Sequence, residues 1–178
     1  MTNNLQKAGY GVRFVAILLI AGGLLGLTGS TLGIYQAAKH HQIATAISGI
    51  LAIGLFAWSL RSGVSLWRFK RDALRPAQIL FAMQIPVFSL ARFSYEFSTF
   101  FSFRVMVGNT THHIGGNIGS SSNIGLLSQP TDFLVGINII ALLVFLYLLR
   151  VSARERSVRK VHPEGRGVIA DTMQLQGS

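Results

Sequence analysis

The stretch AQILFAMQIPVFSLA, residues 77–91, decides the architecture. It contains no Asp, Glu, Lys, Arg or His, yet it is short and carries Gln78, Gln84 and Pro86. As a membrane helix it needs Leu74 and a snorkelling Arg75 to reach bilayer length; the alternative is an interfacial or re-entrant segment. Its neighbours argue for the span. Three more runs lack ionisable residues: FVAILLIAGGLLGLTGSTL at 14–32, IATAISGILAIGLFAWSL at 43–60 and FLVGINIIALLVFLYLL at 133–149. At 1.5 Å per residue the run 43–60 covers about 27 Å, against roughly 30 Å of hydrocarbon.

The expected fold is an all-α membrane protein, a four-transmembrane-helix bundle. Its spans lie at approximately 14–34, 43–62, 74–91 and 133–150, with a small β-hairpin in the outer loop, 92–132, between helices 3 and 4. Residues 1–161 form the membrane domain, and 162–178, broken by Pro163, Gly165 and Gly167, form a flexible cytoplasmic tail. Lys7 and Arg13 precede the first run as they would in a signal peptide, but its apolar core exceeds the 7–15 residues of an h-region, so a retained helix is expected.

Composition supports a lipid environment. Of 178 residues half are hydrophobic and only 12% charged, against roughly 25% in soluble domains. An ordinary water-soluble globule is excluded, and the length leaves no room for a large soluble catalytic domain. With no cysteine, disulfides, thiol chemistry and Cys-type metal sites are excluded too.

The net charge of +10 is distributed unevenly. Of sixteen Lys and Arg, all but Lys39, Arg92 and Arg104 precede the first run, join the second to the third, or follow the fourth. The positive-inside rule then places both termini and the middle loop in the cytoplasm of a multi-pass cell-membrane protein, expected in a bacterial inner membrane. Trp58 and Trp67 bracket that same face. These juxtamembrane cations lack an aromatic stacking platform, so the expected partner is the lipid bilayer, with anionic lipid at the cytoplasmic face, rather than nucleic acid.

Apolar burial does not drive helix association in lipid; close backbone approach and polar contacts do. Gly22, Gly26, Gly29 and Gly33 make a small-residue seam facing Ala44, Ser48 and Ala52 of the second run, or else a homo-oligomer contact. Gln84 and Asn138 lie at similar depth and read as an interhelical hydrogen bond or as part of a polar track for a solute. None of the four apolar runs holds Asp, Glu, Lys, Arg or His, which argues against proton relays.

In the outer loop, FSYEFSTFFSFRVMVG at 93–108 has a period of two: seven of the eight odd positions are aromatic or apolar, against two of the eight even ones. Gly108-Asn109 suits a hairpin turn, Thr110 to Ile114 a returning strand, and Gly115 to Pro130 a Gly, Ser and Asn-rich connector with Asn-Ile-Gly at 117 and again at 123. The recurrence of Phe93, Phe97 and Phe101 at intervals of four keeps a helix open, in which Arg92 and Glu96 would pair. Phe93, Tyr95, Phe97, Phe101 and Phe103 form the expected interaction face for an outer protein partner or lipid.

His40-His41 and His112-His113 both fall in outer segments and are the candidate ligands for zinc or copper, with Glu96 and Asp132 the acids within reach. Solvated histidines are the plainer reading, and no cofactor is otherwise implied. Catalytic motifs are missing, and Ser120 to Ser122 have no base beside them in sequence. The leading expectation is a non-enzymatic integral membrane protein with an outward aromatic hairpin; an outward metal site and small-molecule passage or a channel accessory are the alternatives.

Overall fold

The computed structural model describes residues 9–70, 72–90, 93–108, 112–126 and 133–161. Arg92, the turn at 109–111, Asp132 and the proposed tail at 162–178 lie outside the described residues. The protein is mostly helical with one antiparallel sheet, in the order α1 (Gly9–Lys39), α2 (Ile43–Trp67), α3 (Leu74–Gln84), β1 (Pro86–Leu90), β2 (Phe93–Gly108), β3 (His112–Leu126), β4 (Leu134–Asn138) and α4 (Ile139–Val161).

Among the described residues, α1 and α2 are the helices long and apolar enough to cross a membrane. They pack as an antiparallel hairpin turned at His40 to Gln42, with His41 at φ 54°. Glycine permits the close approach: a Cβ on Gly23 would lie 2.9 Å from the Leu60 backbone nitrogen, and one on Gly63 2.9 Å from Leu19 Cβ. Between them the buried Ser59 hydroxyl donates to the Leu19 carbonyl at 3.0 Å. At the far end Arg13 lies over the rings of Trp67 (5.7 Å) and Phe69 (5.3 Å). The start of α1 and the end of α2 are thereby tied together.

The third and fourth apolar runs are not continuous helices. Each is half helix and half strand: α3 gives way to β1 just after Gln84, and β4 to α4 at Asn138. Pro86 offers no amide to continue α3, whereas Asn138 opens α4 by accepting the Ala141 N–H on Oδ1 at 3.4 Å, as an N-cap does. Eleven helical residues rise about 16 Å and five extended ones about 16 Å more. The pair α3–β1 is therefore as long as a full apolar span, and so is β4 with the apolar half of α4. The two hybrid segments run side by side: Gln78 Nε2 donates to the Leu148 carbonyl at 3.0 Å, and β1 pairs with β4 from Pro86↔Ile137 to Ser89↔Leu134.

A four-stranded sheet thus replaces the expected two-stranded hairpin, in the order β1-β4-β2-β3 with β1 also paired to β2. The start of β2 pairs antiparallel with β1 (Phe88↔Tyr95) and its end antiparallel with β4 (Arg104↔Asn138), while β1 and β4 are antiparallel to each other. These three relations hold together only if β2 reverses direction between Tyr95 and Arg104. The reversal coincides with Phe100, at φ 104°, whose ladder partner Gly119 is at φ 131°. The expected connector after Ile114 is instead the body of β3, paired with β2 as far as Phe93↔Leu126. Its sequence has little strand preference, so β2 imposes the pairing; glycine opposite Phe100 lets the ribbon bend.

Burial does not alternate up to the bend: Phe97 is 0% exposed and packs on Phe56 with centroids 5.2 Å apart, and Ser98 and Thr99 beside it are buried as well. After it the even side chains face inward. Ser102 and Asn138 are buried, while Phe103, Val107, Ile114 (71% exposed), Ile118 (77%), Val135 and Ile137 line the outer face. Register places these residues on one side, through Val107↔Val135, Val105↔Ile137, Val105↔Ile114 and Phe101↔Ile118.

Candidate functional site

The fold of β2 carries its bend against the middle of α1. At Gly22 a Cβ would lie 2.6 Å from the Thr99 carbonyl oxygen, and the Ser120 hydroxyl donates to the Gly22 carbonyl at 2.6 Å. Gln84 and Asn138 sit at the same level on the other side of β2. They do not bond to each other, as the sequence suggested; each holds the ribbon. Gln84 Oε1 accepts the Thr99 N–H and the Thr99 hydroxyl, both at 3.1 Å. Asn138 Oδ1 accepts the Phe103 N–H at 3.3 Å, and the Asn138 N–H donates to the Ile85 carbonyl at 2.8 Å. Both amides are 1% exposed. Bending a strand at that level removes backbone groups from the regular ladder, and the two amides supply replacement acceptors.

Charge is gathered beside this layer. Glu96 and Arg104, four residues either side of Phe100, meet as an ion pair when β2 folds back, and the Ser121 hydroxyl donates to Glu96 Oε1 at 2.9 Å. The carboxylate thus has both a cation and a hydroxyl donor as partners. Gln84 Nε2, Ser102 Oγ and Arg104 Nε are buried without hydrogen-bond partners among the described residues. Ser62 Oγ, in the C-terminal half of α2, is a fourth such group among the described residues.

Next to the layer is a cavity of about 360 Å³ lined by Gly26, Gly29, Ser30, Gly33, Thr45, Ser48, Gly49, Phe56 and Ser120 to Ser122. It runs from the end of the α1–α2 hairpin nearest His40 down to Phe56. Among the described residues its walls are hydroxyls, glycine and the Phe56 ring, with no charged side chain. The glycine seam read from the sequence is divided. Gly22 and Gly26 are covered within the chain, by Thr99 and by Phe56, whereas a Cβ on Gly29 or Gly33 would meet nothing within 4 Å. These last two keep the cavity open.

The expected interaction face is divided too. Phe97 is in the core, Phe93 and Tyr95 flank Phe88 with centroids 5.5 Å apart, and the Tyr95 hydroxyl donates to the Met83 carbonyl at 2.7 Å. Phe101 is half-buried with its ring edge-on to Phe100, and of the five only Phe103 is exposed. His40, His41, His112 and His113 are all exposed, and among the described residues no three His, Asp or Glu side chains come together as a metal site. The cavity hydroxyls and the Glu96–Arg104 pair were missed from the sequence. The one available signal was Phe100, a large apolar residue out of phase in the polar row. Comparison with protein-family models, with characterised proteins and with solved structures found no match.

Proposed function

We propose that this is a four-crossing membrane protein whose β2–β3 ribbon is re-entrant, and that it takes a small uncharged polar solute into the hydroxyl-lined cavity from the outer side. Both termini and the α2–α3 link are cytoplasmic in this reading, by the placement of arginine and lysine. Two crossings are α1 and α2; the others are the hybrid segments α3–β1 and β4–α4. Non-helical backbone at membrane depth is tolerated where protein covers it or where it lines an aqueous cavity. Three features fit that requirement. Among the described strands β3 has one edge without a partner and makes contacts with α1 and α2, and over 96–103 β2 has Gln84 and Asn138 in place of a second strand. Past the bend the outward face of the sheet is apolar, from Phe103 to Ile137, and its inward face carries Ser102 and Asn138, the arrangement of membrane β-structure rather than of a sheet in water. The breaks in both hybrid segments carry buried amides, as do interrupted helices that form solute sites near the bilayer centre.

The cavity carries the functional reading. Its volume suits about a dozen waters or one small polyol, and uncharged hydroxyl walls favour a neutral hydrogen-bonding solute over an ion. Phe56, packed on Phe97, lines its inner end. The passage reading is preferred to the outward aromatic hairpin because most of those aromatics are used inside the fold.

The test is solute entry into vesicles. Proteoliposomes in a glycerol or urea gradient should re-swell faster than protein-free vesicles by light scattering. Gly29→Leu and Gly33→Leu fill the cavity without meeting backbone and should return the rate to the protein-free value while the purified protein remains folded. Equal rates with wild-type protein and empty vesicles would remove the passage reading.

A further inference from the structure

At the opposite end of the molecule from the solute cavity lies a second cavity, of about 390 Å³, where α2 meets α3. It is lined by Trp58, Arg61, Ser62 and Ser65 of α2, by Lys70, Asp72 and Ala73 of the link, and by Pro76 in the first turn of α3. The four α2 residues recur at intervals of three, one and three, which places them on one helix face. Three observations give this cavity an anionic ligand. Arg61 and Lys70 are exposed cations, and among the described residues neither is in an ion pair. Ser62 is 2% exposed, and among the described residues its Oγ has no hydrogen-bond partner. The N-cap position of α3 is Ala73, which offers no side-chain acceptor, and Ala73 and Pro76 at that end of the helix border the same space.

We propose that this cavity holds the phosphate of an anionic phospholipid headgroup. Arg61 and Lys70 supply the charge, Ser62 and Ser65 the hydroxyl donors, and Trp58 the amphipathic ring that sits at headgroup level. Asp72 leaves the lining at a net +1, and its carboxylate accepts from a headgroup hydroxyl such as that of phosphatidylglycerol. The proposal shares the membrane placement of α2 with the preceding section but is independent of the solute cavity. Diffuse attraction of a basic surface to anionic lipid predicts no single site; this geometry does.

The chain has two tryptophans, so Trp67→Phe leaves Trp58 as the only indole emitter. The full-length protein is placed in bilayers where brominated phosphatidylglycerol or brominated phosphatidylcholine is present at equal mole fraction, and quenching of Trp58 is compared. Brominated phosphatidylglycerol should quench more strongly. Arg61→Gln and Lys70→Gln should each lower its preference roughly fivefold. Arg154→Gln with Arg156→Gln, which removes exposed charge elsewhere, should leave the preference in place. Ser62→Ala should lower the preference while raising thermal stability in lipid-free detergent, since it deletes a buried hydroxyl without a partner; a purely structural serine would not link the two readouts. Equal quenching by the two lipids, or a preference that survives loss of both Arg61 and Lys70, overturns the proposal. Displacement of the lipid by millimolar inorganic phosphate also overturns it, reassigning the cavity to a soluble phosphate.

Discussion

Glu96 and Arg104 are eight residues apart on one strand, far too distant to touch in an extended chain at about 3.3 Å per residue. They meet because Phe100 reverses the strand between them, so the pair reports directly on the bend. Both side chains are mostly buried, and a buried charge deprived of its partner is costly, whereas an apolar replacement for the pair is often neutral. Glu96→Gln is therefore expected to destabilise the protein by about 2–4 kcal/mol, below the fully buried range because both groups retain some exposure. Glu96→Leu combined with Arg104→Met should recover most of that loss. Denaturant unfolding in detergent, followed by tryptophan emission, measures both. If the single and double variants lose equal stability, Arg104 is not the partner that matters.

The hybrid segments show what an apolar run encodes and what it leaves open. Residues 77–91 and 133–149 are apolar enough to be buried, but a buried helix and a buried strand both read as uninterrupted apolar sequence. Legible were the two long apolar helices α1 and α2 and the extended state of residues 93–108. The strand halves β1 and β4 were not legible, because their state is set by pairing with each other and with β2. Nor was β3, whose Gly, Ser and Asn residues carry a turn-like composition and become a strand only along β2. The sequence offers Gln84 and Asn138 as amides that could bond to each other across two helices; their partners are instead Thr99 and the backbone of Phe103 on a strand, which no helical reading supplies. Asn138 does two things at once, starting α4 and accepting from Phe103. Asn138→Leu should cost about 1–3 kcal/mol, combining a lost cap with an unpaired buried amide. Asn138→Ser, which restores only the cap, should recover part of it. Thermal unfolding of the two variants against wild type makes the comparison; indistinguishable midpoints would show that α4 does not depend on this residue.

For the molecule as a whole, the decisive matter is whether the ribbon enters the bilayer or rests on its outer surface. The two arrangements use the same apolar face, so hydrophobicity alone does not separate them. Position along α1 does: Thr99 and Ser120 touch Gly22, near the middle of the helix rather than its end. Along β3, Ile118 lies six residues beyond His112, about 20 Å of extended chain, and it points away from the protein. An engineered label on Ile118 should therefore sit on the order of 15 Å deeper than one on His112, after allowance for strand tilt. The chain has no cysteine of its own, so Ile118→Cys and His112→Cys each give a single attachment point for a bimane. Quenching by nitroxides placed at known depths in the acyl chains then ranks the two. The re-entrant arrangement requires strong quenching of the Ile118 label by deep nitroxides and of the His112 label by shallow ones. Equal, shallow quenching of both would lay the ribbon flat on the outer surface. It would also remove the solute cavity from membrane depth, because Ser120 to Ser122 travel with Ile118 on the same strand.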